Sequence, residues 1–90
     1  MHSITLDGSQ LHTREELHAA LREELELPSH YGNNLDALWD CLTGWVNMPV
    51  TIRWVHFEES EKKLGEYSQL VLQLFKDAEE EIPGFQLLVE

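Results

Sequence analysis

The chain has 90 residues, 42% apolar and 26% charged, which fits one globular domain over residues 1–90 and excludes a disordered or fibrous chain. Its apolar runs are far shorter than the roughly 20 residues that cross a bilayer, and it opens with no basic-then-apolar leader. Seventeen acidic residues against six basic ones give a formal net charge of -11, which opposes nucleic acid and anionic membrane and favours a basic protein as partner.

Ser3 to Leu6 alternates polar and apolar and runs into Asp7-Gly8, which predicts a first strand and a turn. Thr13 followed by Glu16 has the capping-box spacing, and Leu17, Ala20, Leu21 and Leu25 recur at helical spacing until Pro28 stops the run. His12 and His18, like His2, are expected to face solvent. Ser29 to Asn34 is rich in turn formers, and Asn33 or Asn34 is placed to cap a second helix.

Unrolled at about 100° per residue, that helix gathers Leu35, Leu38, Trp39, Leu42, Trp45 and Val46 into an apolar stripe. Asp36, Asp40, Thr43 and Asn47 lie beside it, with Ala37, Cys41 and Gly44 on the remaining side. Trp39 falls at the border of the two stripes, while core packing is the expectation for Trp45 and Trp54. Between Arg22 and Arg53 there is no Lys or Arg, so this segment is uniformly acidic along the chain. Two carboxylates four residues apart repel on an isolated helix, and a cation from outside would relieve them.

Met48-Pro49 ends the segment, and the β-branched run Val50 to Val55 predicts the central strand. Phe57 to Leu64 fits a short helix or a loop, closed by Gly65. Tyr67, Leu70, Val71, Leu74, Phe75 and Ala78 then mark the inner face of a long last helix, with an acidic tail from Glu79 to Glu81. Pro83-Gly84 breaks it, and Phe85 to Val89 predicts the final strand. Strands separated by helices imply a parallel sheet with helices packed on it, an α/β fold in the order β, α, α, β, α, α, β.

The chemistry-bearing residues are few. Asp36 and Asp40 could serve as an acid/base pair, hold a cation or meet a basic partner. No nucleophile motif, Gly-rich phosphate loop or paired-histidine ligand set accompanies them, so an enzyme is not expected. The five histidines show no ligand spacing, and the lone Cys41 offers neither an internal disulfide nor a zinc site, so neither metal nor cofactor is expected. His30 precedes the acidic helix and could add a ring to the same surface.

The stretch from Tyr31-Gly32 through Asn34-Leu35-Asp36-Ala37-Leu38-Trp39-Asp40 to Gly44-Trp45 closely resembles the barstar family, bacterial inhibitors of the extracellular ribonuclease barnase. Thinner similarity through Pro49, Trp54, Phe57 and Val71-Leu72-Gln73 extends it over nearly the whole chain. The resemblance implies a three-stranded parallel sheet with helices packed against it, and a binding surface formed by the second helix and the loop before it. Carboxylates there would take the places of RNA phosphates in a ribonuclease active site. Asp40 would be the central mimic and Asp36 would pair with a second basic residue. Asn34, Leu35, Trp39, Thr43, Gly44 and Trp45 would pack around them, His30 would lie on the catalytic centre, and Asp77 would be an outlying acidic contact. The expected complex is 1:1 with a basic, extracellular-type ribonuclease, and the inhibitor is a cytoplasmic protein, monomeric when free.

The sequence departs from the family's pattern at several of these places. His30 stands where a tyrosine is expected, Asn47 where an acidic residue is expected, and Asp77 is one methylene shorter than the expected glutamate. Ile82-Pro83-Gly84 replaces a second cysteine. The alternative reading is an acidic module of the same fold that docks a basic protein other than a nuclease.

Overall fold

Three strands, β1 (His2–Asp7), β2 (Val50–Val55) and β3 (Phe85–Val89), pair in parallel in the order β1-β2-β3. The computed structural model describes residues 2–90, His2 by its backbone alone. The register sets Ile4 beside Ile52, Leu6 beside Trp54, and Val50 and Ile52 beside Phe85 and Leu87. On this face all of these are buried except Leu87, which is half-buried, while Val89, beside Trp54 at the strand end, is exposed; on the other, Ser3, Thr5, Arg53, Gln86 and Leu88 are exposed. Strands laid down in sequence order and joined by right-handed crossovers receive both connections on one side. One sheet face is therefore covered and the other is open, which explains why these parallel strands alternate instead of reading as continuous apolar runs.

The covering layer contains α1 (Arg14–Glu24), α2 (Leu35–Gly44), α3 (Phe57–Leu64) and α4 (Glu66–Glu81), in the predicted order. Leu17 and Leu21 of α1, Leu38 and Leu42 of α2, and Val71 and Phe75 of α4 join Ile4, Leu6, Ile52 and Trp54 in one core. Full burial of each such side chain stabilises the fold by roughly 1.5–3 kcal/mol. The 57–64 segment is a helix because Trp54 anchors it. The Phe57 ring stands edge-on to the indole at 4.7 Å, and the buried Ser60 hydroxyl accepts the indole N–H at 2.9 Å. Glu58 and Glu59 begin α3 while Lys62 and Lys63 end it, matching its dipole.

Local signals set several junctions. Asp7 accepts from the Ser9 N–H at 3.0 Å and caps a short 3-10 turn, Gly8–Gln10. A Cβ on Gly8 would collide with the His56 carbonyl oxygen, so β1 leaves the sheet against α3 only with glycine there. Thr13 Oγ1 accepts from the Glu16 N–H at 3.1 Å as its spacing predicts, while the Glu16 carboxylate reaches one residue further back, to the His12 N–H at 2.7 Å. α1 ends in a Schellman turn, the Leu27 N–H donating to the Arg22 carbonyl at 2.9 Å with Glu26 left-handed at φ 53. The Met48-Pro49 peptide is cis.

The structure corrects three sequence expectations. His18 is fully buried, Trp45 is 53% exposed and Leu70 is 46% exposed. The histidine's burial has a clear cause, because its ring bridges two phenols. Nδ1 lies 2.7 Å from the Tyr31 hydroxyl and Nε2 2.6 Å from the Tyr67 hydroxyl. A neutral imidazole has one N–H and one lone pair, so one tyrosine donates to the ring and the other accepts from it. Burial holds His18 below the ordinary histidine pKa and pushes the Tyr31 phenol up.

This triad makes stability depend on pH. Since the folded-state pKa of His18 is lowered, the unfolded chain takes up a proton where the folded one does not. The stabilisation is complete above about 6.5, the ordinary histidine value, and is lost as pH falls below it. Asp7, Glu16 and Glu90, whose carboxyls are also held low, act only below about 4.5. Denaturant midpoints should therefore decline between pH 7 and pH 5, and an unchanged midpoint over that range would contradict the assignment. Tyr67→Phe, which leaves one ring nitrogen unpaired, is expected to lower the unfolding free energy at pH 7.5 by about 1–3 kcal/mol.

Candidate docking face

Asn34 starts α2. Its Oδ1 accepts from the Ala37 N–H at 2.8 Å, and its Nδ2 donates to the Gly32 carbonyl at 3.2 Å, so one side chain ties the loop to the helix. Asn33 before it is left-handed at φ 53, a conformation asparagine tolerates. The loop itself is fixed by buried Tyr31, whose N–H donates to the Pro28 carbonyl at 3.0 Å. His30, one residue earlier, is exposed.

α2 buries Leu38, Cys41 and Leu42. Asp36, Asp40, Thr43 and Gly44 face outward, with Leu35 and Trp39 half-buried at the boundary. Asp36 lies in the first turn, where the helix dipole favours a carboxylate; Asp40, further along, lacks that help. The ion pairs among the described residues, His12–Glu16, Arg53–Glu90 and Lys62–Glu59, all lie off this helix. Thr43 spends its hydroxyl proton on the Trp39 carbonyl, 2.9 Å away, and stays fixed against the helix.

The structure adds what the sequence could not place. Leu35, Asp36 and Trp39 of α2 form a groove of about 360 Å³ with Leu70, Gln73, Leu74, Asp77 and Glu81 of α4. Its floor is apolar and its rim carries three carboxylates. Gln73 Nε2 donates to Asp77 Oδ1 at 2.9 Å and fixes that carboxylate's direction. Asp77 thus joins Asp36 although they are far apart in sequence, whereas Asp40, Thr43 and Gly44 lie outside the groove.

Trp45 stands apart from the groove. Its indole N–H donates to the carbonyl of left-handed Glu26 at 3.1 Å, tying the end of α2 to the end of α1. It is thus a surface brace and not a core residue. The acidic segment is also less uniform in space than along the chain, because Arg14 of α1 shares a concavity with Asn33, Asn34, Leu35, Asp36 and Tyr67.

Unpaired carboxylates beside half-exposed apolar groups suit guanidinium and ammonium groups, whose stems can lie on the groove floor. Among the described residues, no three His, Cys, Asp or Glu side chains gather as metal ligands, and no helix is long and apolar enough to cross a membrane. A two-layer α/β domain that presents acidic groups on a helix exterior, not in an enclosed cavity, defines the class. The chain belongs to the barstar family, whose model, described as "Barstar (barnase inhibitor)", matches residues 1–90. It is also 44% identical over 91 residues to "Putative ribonuclease inhibitor YrdF" of Bacillus subtilis (strain 168), with 100% of each chain covered.

Gly44 has no internal reason to be glycine. A Cβ there would meet nothing within 4 Å, and its φ is ordinary. Since glycine disfavours helix by up to about 1 kcal/mol relative to alanine, Gly44→Ala is expected to raise the free protein's unfolding temperature slightly. A calorimetric scan showing a lowered temperature would reveal a constraint hidden from the structure.

Proposed function

We propose that this protein is a non-catalytic, cytoplasmic inhibitor that binds a basic barnase-type ribonuclease 1:1 and covers its active site with α2. The observation that carries the reading is a rigidly capped helix with Asp36 and Asp40 facing outward and no cation of the described residues within ion-pair distance of either, in a chain of net charge -11. Such a surface carries unrelieved repulsion when free and loses it against a cationic cleft.

Asp40 takes the central phosphate position among the enzyme's basic groups, and Asp36 takes a second. His30 approaches the catalytic centre from the loop. Asn34, Leu35, Trp39, Thr43 and Trp45 pack around the carboxylates and exclude water, which strengthens each ion pair. The groove between α2 and α4 receives an Arg or Lys, its stem on Trp39 and Leu74 and its head between Asp36 and Asp77. Gly44 presents bare backbone, allowing the enzyme to approach where any side chain would hold it away. This accounts for a residue that the free fold does not require.

Titrating the protein into a barnase-type ribonuclease should give stoichiometric loss of RNA cleavage, weakening as salt rises from low to physiological strength. Asp40→Ala strands the basic groups it covered, a loss of about 3–5 kcal/mol that corresponds to roughly a hundredfold or more in inhibition constant. Because Asp40 is exposed in the free protein, its unfolding temperature should hardly change. Gly44→Ala should weaken inhibition while the free protein gains stability. Undiminished inhibition by Asp40→Ala would remove α2 from the contact.

A further inference from the structure

We infer that Arg14 is a specificity-determining residue of the docking face and pairs with a carboxylate side chain of the ribonuclease at the edge of α2. This rests on the inhibitor reading above and adds a contact of opposite sign to it. Arg14 is the first residue of α1, where a cation opposes the helix dipole, so the helix does not account for it. No carboxylate of the described residues lies within ion-pair distance of it. Its guanidinium instead sits over the Tyr67 ring, with Cζ 4.4 Å from the centroid.

That ring is itself fixed, since the Tyr67 hydroxyl is bound by buried His18 at 2.6 Å. The stacked guanidinium is therefore held in place, with its N–H edges available for a planar, two-point contact with a carboxylate. It lines a concavity of about 300 Å³ with Asn33, Asn34, Leu35, Asp36 and Tyr67, directly continuous with the face assigned to the enzyme. A basic group of a partner meeting this edge would face a like charge, whereas an acidic group would find a pre-positioned cation. Basic ribonucleases without a carboxylate at this place are discriminated against.

The sign of one substitution tests this. Arg14→Glu removes one positive charge and adds one negative, taking the net charge from -11 to -13. General attraction to a basic enzyme would then tighten binding, whereas the local pair requires it to weaken. Inhibition of a barnase-type ribonuclease would be measured with wild type, Arg14→Glu, Arg14→Gln and Asp40→Ala, alongside thermal unfolding of each free protein. The expected result is about tenfold or greater weakening for Arg14→Glu and a smaller loss for Arg14→Gln, with little change in unfolding temperature. Equal or tighter inhibition by Arg14→Glu, while Asp40→Ala is impaired, overturns the Arg14 assignment alone. A loss that follows lowered unfolding temperatures in both Arg14 variants assigns the residue to shielding Tyr67 and overturns it too. Absence of inhibition by wild type overturns the inhibitor reading, and full inhibition by Asp40→Ala removes α2 from the contact; either result overturns the Arg14 assignment.

Discussion

A three-stranded parallel sheet covered on one face only is the constraint from which the other features follow. Every apolar side chain the strands can bury must point to the same side, and every helix must contribute its inner face to that single layer. Trp54 of the central strand shows the effect most directly. Phe57, Ser60 and Phe75 all meet its indole, so α3 and α4 are located by one side chain. With the inner faces committed, the outer face of α2 is free to carry charge without disturbing the core.

The His18 triad performs a second task within the same layer. It joins α1, the loop before α2 and α4 through two short hydrogen bonds. Tyr31 and Asn34, three residues apart, then hold the loop from its buried and exposed sides. A docking surface fixed in this way loses less conformational entropy on association than a flexible one. The electrostatic counterpart is the placement of the chain's few cations. Among the described residues, Arg53 and Lys62 form their ion pairs away from α2 and Arg14 rests on an aromatic ring, so no ion pair falls on α2.

Much of this was legible in the residues because it depends on neighbours within one or two turns. Caps, breakers and periodicity located Thr13 and Gly65 and narrowed the α2 cap to Asn33 or Asn34, of which the structure uses Asn34, and the β-branched run identified β2 as central. The stripe of Asp36, Asp40 and Thr43 also followed from helical spacing. The errors share a different origin. Leu70 fits the apolar period of α4, yet it is exposed because it lines the open groove that α4 forms with α2. Trp45 fits the stripe of α2, yet the helix ends at Gly44 and turns the indole outward to Glu26. His18 looked solvated because its partners are 13 and 49 residues away.

The amino-acid sequence by itself determined the order of strands and helices, the family, the charge and the acidic stripe on α2, since each is a property of composition or of residues a few positions apart. Only the tertiary structure decided that Asp77 shares a groove with Asp36, that Arg14 shares a second concavity with Asp36, and that a buried histidine braces the loop. Those relations depend on how three helices pack into one layer over one sheet face. That packing is a compromise among side chains distant in sequence, and no local pattern encodes it.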